Sequence, residues 1–105
     1  MSPPRDREDK SAPSDGEIAA ALDGLPGWRR EGIFLKKSFR FENFREINAF
    51  LPHCAETIVR LNHHPDLDFR PAEKRMDIST STHATGGISR ADLSLARALE
   101  EWPRP

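Results

Sequence analysis

The sequence lacks a second cysteine, since Cys54 is the only one among 105 residues. An intrachain disulfide is therefore excluded, and a reducing compartment is the simpler expectation. Long apolar runs are also missing, because no stretch approaches the ~18 residues of a membrane-spanning helix. The N-terminus is charged and rich in proline, without the apolar stretch of a secretory signal. We therefore expect a cytoplasmic protein with no membrane segment.

An excess of charge of one sign is missing as well. The chain has 16 basic and 17 acidic residues and a net charge of -1. Proteins that bind nucleic acid or an anionic membrane usually carry a basic excess, so we expect neither partner. Apolar residues are scarce, at 36% of the chain, and the mean hydropathy is -0.68. A small domain with so thin a core often gains stability by oligomerising, which predicts a homo-oligomer.

What is present divides into a polar tail and one domain. Residues 1–13 combine three prolines with a run of mixed charges and contain almost nothing to bury. That composition predicts a disordered tail. Residues 14–105 have the length of a single domain with one core.

Apolar periodicity predicts the elements of this domain. Strand-like alternation over residues 28–41 and 66–82, each interrupted by a turn, predicts two β-hairpins. Helical spacing predicts three helices, which lie within residues 14–24, 43–61 and 89–102. The order α-β-β-α-β-β-α predicts an α+β fold, a four-stranded antiparallel sheet with three helices on one face.

The helices also carry start signals. Ser14 and Ser89 each precede an acidic residue by three positions, which is the form of a capping box. Asn43 can cap the middle helix, and Pro52 should bend that helix or split it.

Three histidines are the strongest functional signal in the chain. His63 and His64 precede a proline at the predicted end of the middle helix, and His83 closes the last strand. Imidazole has the unperturbed pKa nearest neutrality, so grouped histidines are the first candidates for moving protons. One could protonate a leaving hydroxyl while another takes a proton from nitrogen, as dehydration of a carbinolamine requires. Asp92 could orient an imidazole, although capping the last helix explains it equally well.

Other chemistries fit the pattern less well. Cys54 and the histidines show no zinc-site spacing, so we predict no metal. Cys54 also lies on the apolar stripe of its helix, which favours a core position over a nucleophile. Ser79 and Ser81 lack the signature of a nucleophile elbow. Trp28 is either a core anchor or an aromatic wall for a flat heterocycle.

Four of these segments together resemble the pterin-4a-carbinolamine dehydratase family. They are Leu25-Pro26-Gly27-Trp28, Asn62-His63-His64-Pro65-Asp66, Ser81-Thr82-His83 and Gly87-Ile88-Ser89-Arg90-Ala91-Asp92. The resemblance spans roughly residues 15 to 102. Enzymes of that family remove water from 4a-hydroxytetrahydropterin to give quinonoid dihydropterin without a metal or other cofactor, and they assemble as dimers or tetramers.

The resemblance assigns roles to residues of this chain. It implies that His63, His64 and His83 line a pterin pocket and handle the protons. It further implies that Trp28 and Asp92 lie at or near the wall of that pocket.

The chain departs from the family pattern at three places. Val59 stands four positions before the first histidine, where the family's enzymes commonly carry an acidic residue. Valine can neither hold the charge of an imidazolium nor bind the donor groups of a pterin. Residues 70–73 of the second hairpin lack the aromatic residue that relatives tend to have there. The stretch from His64 to His83 is also about two residues longer, so the hairpin must bulge or extend.

These departures resemble those of a family branch not thought to act as dehydratases, the Rubisco assembly factors of α-carboxysomes. We therefore expect a Rubisco assembly factor or chaperone, with the Rubisco large subunit as partner and an association with the carboxysome. The alternative is an active dehydratase of pterin recycling, with a pterin as ligand and His63, His64 and His83 as acid–base residues. A third class, a transcription-factor dimerisation partner, has only the fold in its favour.

Overall fold

Alternation of apolar and polar side chains builds one sheet, as the sequence predicts. In the computed structural model, which describes residues 8–104, β1 (Arg29–Glu31) and β2 (Phe34–Arg40) form the first hairpin. The second hairpin consists of β3 (Asp66–Arg70) and β4 (Arg75–Thr80). β2 pairs antiparallel with β4, so the hairpins merge into a four-stranded sheet of order β1-β2-β4-β3.

Three helices cover one face of this sheet, which confirms the predicted α+β fold. They are α1 (Asp15–Asp23), α2 (Phe44–Leu61) and α3 (Arg90–Glu100). Buried apolar side chains from all three helices and from the inner face of the sheet share a single core. Its least exposed members are Leu35, Ile47, Phe50, Cys54, Met76, Leu95 and Ala96. No helix within residues 8–104 is long and apolar enough to cross a membrane.

The predicted helix starts are confirmed, and of the two predicted effects of Pro52 on α2 the split does not occur, whereas the bend stays a prediction. Ser14, Asn43 and Ser89 each accept a hydrogen bond from a backbone amide of the first turn. α2 runs as one helix through Pro52. A proline removes only its own amide from the helix ladder, and the apolar stripe of α2 on both sides of position 52 is buried in the core.

The second hairpin pairs regularly up to a short turn at its tip. The pairing of β3 with β4 runs without a bulge from Asp66 opposite Ser79 to Arg70 opposite Arg75. A 3-10 turn over residues 71–73 joins the strands, and Lys74 closes it in the left-handed region with a φ of 52°. The paired part of this hairpin therefore contains no bulge, and the predicted extension stays a prediction.

Residues 8–13, here called the N-terminal segment, lie against the start of α3. The carbonyl of Asp9 accepts a hydrogen bond of 2.8 Å from the amide of Ala91, and that of Ser11 accepts one of 3.0 Å from Arg90. Two amides that the first turn of α3 leaves without a helical partner are thereby satisfied. Residues 1–7 of the predicted disordered tail lie outside the described residues. The contacts of the N-terminal segment were not predicted.

Candidate active site

His63 owes its position to the way α2 ends. Asn62, directly after the helix, adopts the left-handed conformation with a φ of 53°. Asparagine tolerates this region better than most residues, so the helix stops there and the chain turns toward β3. The turn brings His63 into the interior with only 5% of its surface exposed, whereas His64 stays exposed.

Asp92 lies opposite His63 in the first turn of α3 and is completely buried. Its Oδ1 accepts hydrogen bonds of 2.6 Å from Nε2 of His63 and from the hydroxyl of Thr80. Its Oδ2 accepts 2.8 Å bonds from the hydroxyl of Thr82 and from the amide of Ser89. Both explanations of Asp92 therefore hold, because one carboxylate caps α3 and orients an imidazole.

The electrostatics favour a charged pair at this position. Burial by itself raises the pKa of Asp92, but the hydrogen bonds from His63, Ser89, Thr80 and Thr82 outweigh it and lower that pKa. The bond to Asp92 raises the pKa of His63 against the opposing effect of burial, and a bond to Glu8 raises it further. An imidazolium facing a carboxylate is the protonation state that these contacts stabilise.

Glu8 occupies the other nitrogen of the same ring. Its Oε1 lies 2.6 Å from Nδ1 of His63, and its Oε2 lies 3.5 Å from the ammonium of Lys10. Burial raises the pKa of Glu8, but its interactions with His63 and Lys10 lower it by more. Both ring nitrogens of His63 thus face carboxylate oxygens, and only the doubly protonated ring can donate to both.

His64 and His83 are exposed, and each directly follows a residue of the buried network, His63 and Thr82. His83 begins a 3-10 turn over residues 83–85 directly after Thr82, whose hydroxyl bonds Asp92. Asp92 thus bonds both His63 and Thr82, the residue directly before His83. The side chains of His64 and His83 make no hydrogen bond or ion pair within the described chain. A cavity shared by all three rings stays a prediction.

Trp28 contacts the opposite end of α3 from Asp92. Its ring is buried edge-on against Phe39, and its Nε1 donates a 2.8 Å hydrogen bond to Glu100. Glu100 and Asp92 are eight positions apart on α3, which is roughly 12 Å along a helix. This position matches the core-anchor interpretation, and nothing in it supports a place for Trp28 beside a pterin.

His53 and Cys54, which the sequence offered as possible metal ligands, stabilise the fold. His53 binds the backbone carbonyl of Ala98 through Nε2 at 3.1 Å and so ties α2 to α3. Cys54 is fully buried, and burial raises the pKa of its thiol to about 12, which confirms the core position. In the part of the chain that the structure describes, no group of three potential ligands could hold a metal ion.

Sequence reasoning missed three partners of the His63–Asp92 pair. Thr80 and Thr82 carried a usable signal, because they are polar residues on the strand face that alternation assigns to the core. Their hydroxyls had to find acceptors there. Glu8 carried none, since it lies 55 positions before His63 in a segment without periodicity.

Comparison with known proteins identifies the family and the fold of this chain. The family described as "Pterin 4 alpha carbinolamine dehydratase" matches residues 11–102. A protein of Thermomicrobium roseum is 41% identical to this chain, over 83% of this chain and 91% of its own length. A protein of Nocardia farcinica is 37% identical, over 87% of this chain and 94% of its own length. Each is named "Putative pterin-4-alpha-carbinolamine dehydratase". The crystal structure of a "transcriptional coactivator/pterin dehydratase" from Brucella melitensis has a TM-score of 0.77 at 26% identity, covering 86% of this chain and 96% of that one.

Proposed function

Because this chain belongs to the pterin-4-alpha-carbinolamine dehydratase family, we propose that it is an active dehydratase of a 4a-hydroxytetrahydropterin. The observation that supports this most strongly is the buried pair of His63 and Asp92, joined at 2.6 Å. A buried carboxylate that fixes one nitrogen of an imidazole holds the ring in one orientation and keeps it protonated.

His63 is the proposed acid of the reaction. Its Nε2 faces the buried Asp92, so Nδ1 is the nitrogen that can donate to a substrate. A proton passes from Nδ1 to the 4a-hydroxyl, which leaves as water when the carbon–oxygen bond breaks. The exposed imidazole of His64 or His83 takes the proton from the adjacent ring nitrogen, and a carbon–nitrogen double bond forms. Atoms and charge balance without a metal or redox cofactor.

The direct test is an optical assay of dehydration on the purified full chain. We expect rapid turnover of a 4a-hydroxytetrahydropterin and a loss of about 10²-fold or more in His63→Ala, the scale of one acid–base group. His83→Ala should also lower the rate. His53→Gln is the matched control, because His53 bonds the backbone of α3 instead of Asp92. Absence of turnover in the parent, or an unchanged rate in His63→Ala, contradicts the proposal.

A Rubisco assembly factor is the second candidate, and Val59 is the observation that favours it. No carboxylate is available at this position, and Val59 is 58% exposed on α2, where Phe44 and Leu51 are exposed as well. An apolar helix face of this kind suits a protein partner such as the Rubisco large subunit or a second copy of this chain. Homodimers or homotetramers and an association with the carboxysome stay predictions.

Val59→Glu separates the two candidates. If the missing carboxylate silences the site, this variant should gain dehydratase activity over an inactive parent, and the parent should raise the yield of assembled Rubisco when the two are produced together. If the parent is active and does not affect Rubisco yield, the second candidate fails.

A further inference from the structure

We infer that the N-terminal segment is a self-ligand of the histidine site, and that Glu8 must leave Nδ1 of His63 before a substrate can bind there. The inference rests on the proposed function. It adds a closed resting state, in which residues of the chain itself occupy the group that would protonate the substrate.

The geometry leaves one way to reach His63. Its Nε2 is bonded to a carboxylate with no exposed surface, so a substrate can approach only from Nδ1. Glu8 holds that side at 2.6 Å, and its side chain is itself only 17% exposed. Because one N–H cannot donate strongly to two acceptors, the carboxylate of Glu8 and the hydroxyl of a substrate compete for the same proton.

Hydrogen bonds that do not involve the histidines hold the N-terminal segment beside His63. The carbonyls of Asp9 and Ser11 accept from the amides of Ala91 and Arg90, at 2.8 and 3.0 Å. The hydroxyl of Thr85 donates to the carbonyl of Lys10 at 2.5 Å. These bonds fix the segment at the start of α3, whose first turn also carries Asp92.

The N-terminal segment can detach from the domain without unfolding it. Pro13 is buried and fixes its end nearest the domain, whereas residues 9–12 are exposed. Between Glu8 and Pro13 the contacts to the domain are hydrogen bonds, with no apolar side chain in the core. A segment held in this way can open without disturbing the packed interior, and such segments have low local stability.

Release of the N-terminal segment should affect kcat/KM, because only molecules in which Glu8 has left His63 can bind substrate. When only a fraction of the molecules can bind, the apparent affinity for substrate falls by that fraction. Glu8→Ala removes the competitor, and Thr85→Val removes an anchor while keeping Glu8. Each should raise kcat/KM for a 4a-hydroxytetrahydropterin, by about fivefold or more for Glu8→Ala. Glu101→Ala changes the net charge equally at an exposed position after α3 and should leave kcat/KM unchanged.

A second measurement reports the segment itself. The amides of Arg90 and Ala91 donate to the N-terminal segment, so their hydrogen exchange follows its release. Arg90 is the stronger reporter, because the amide of Ala91 also donates to the hydroxyl of Ser89 at 3.2 Å. A saturating amount of an unreactive dihydropterin should speed exchange at both amides in the parent chain. In Glu8→Ala the exchange should already be faster without the pterin.

The outcomes distinguish this inference from the proposed function. Higher kcat/KM in both variants, with faster exchange on adding dihydropterin, supports it. An active parent with lower kcat/KM in Glu8→Ala overturns it, because Glu8 would then assist His63 instead of blocking it. An active parent whose Arg90 and Ala91 amides do not respond to dihydropterin overturns it as well and leaves the dehydratase proposal standing. No turnover in any variant removes both.

Discussion

Asp92→Asn tests whether the buried carboxylate holds the site together. Asp92 accepts four hydrogen bonds of 2.6 to 2.8 Å, two at each oxygen. An amide of the same shape has only one acceptor oxygen, so its NH₂ group must face two former donors. A hydroxyl such as that of Thr80 can rotate to accept instead. The amide of Ser89 cannot, so we expect the oxygen to stay there and the NH₂ group to face His63.

Two effects follow from that arrangement. His63 can accept from the new NH₂ group only by giving up its proton at Nε2, so its pKa should fall. Breaking a buried ion pair by removing one partner costs about 3–5 kcal/mol. Since the amide keeps the shape and the bond to Ser89, we expect a loss near the lower end, about 3 kcal/mol of unfolding free energy.

Urea unfolding followed by tryptophan fluorescence gives the free energy, and NMR titration of the His63 ring gives its pKa. Asp23→Asn is the matched control, because Asp23 is exposed at the end of α1. A loss below about 1 kcal/mol in Asp92→Asn, or one no larger than in the control, refutes the reasoning, since exposed substitutions usually stay within that range. An unchanged pKa of His63 refutes it too.

Three further predictions concern pH, the thiol and a partly buried ion pair. The pKa of His63 is raised above 6.5, so the contribution of His63 to stability is complete below pH 6.5 and disappears as pH rises through the raised pKa. The pKa of Asp92 is lowered below 3.8, so the contribution of Asp92 is present above pH 3.8 and is lost as pH falls through the lowered pKa. Urea denaturation midpoints measured at pH values above and below each pKa check both directions. A midpoint that rises with pH above 6.5, through titration of His63, contradicts the prediction for His63. Cys54, with its pKa of about 12, should not react with a thiol reagent at neutral pH until denaturant is added; rapid labelling of the native protein would show that it is accessible. Glu100→Ala removes an acceptor of the ammonium of Lys37 and should cost about 1–3 kcal/mol in urea unfolding, whereas a neutral result means that water replaces the carboxylate.

Local signals were sufficient to predict the elements of this fold. The capping box of Ser89 and Asp92 involves residues three positions apart, and the alternation of β4 is visible in six consecutive residues. Both depend on backbone geometry that neighbours in sequence determine. The merging of the hairpins followed from the order of elements, since four antiparallel strands bury more apolar surface than two separate pairs.

Contacts between distant residues could not be predicted in this way. The bond of Glu8 to His63 spans 55 positions, and that of Trp28 to Glu100 spans 72. Neither acidic residue lies in a pattern that distinguishes it from the other carboxylates of the chain. Their partners are determined by where the packed elements bring each end of the chain, which depends on the whole core. For the same reason the sequence could name the histidines but could not show that His63 is buried while His64 and His83 are exposed.

NMR of the four histidine rings during titration with an unreactive dihydropterin tests the central claim most directly. If His63, His64 and His83 line one pterin site, the ring signals of these three residues should shift together and saturate together. The signal of His53, bonded to the backbone of α3, should stay in place. Saturable binding that leaves the signals of His63 and His83 unmoved would place the pterin elsewhere and contradict the account.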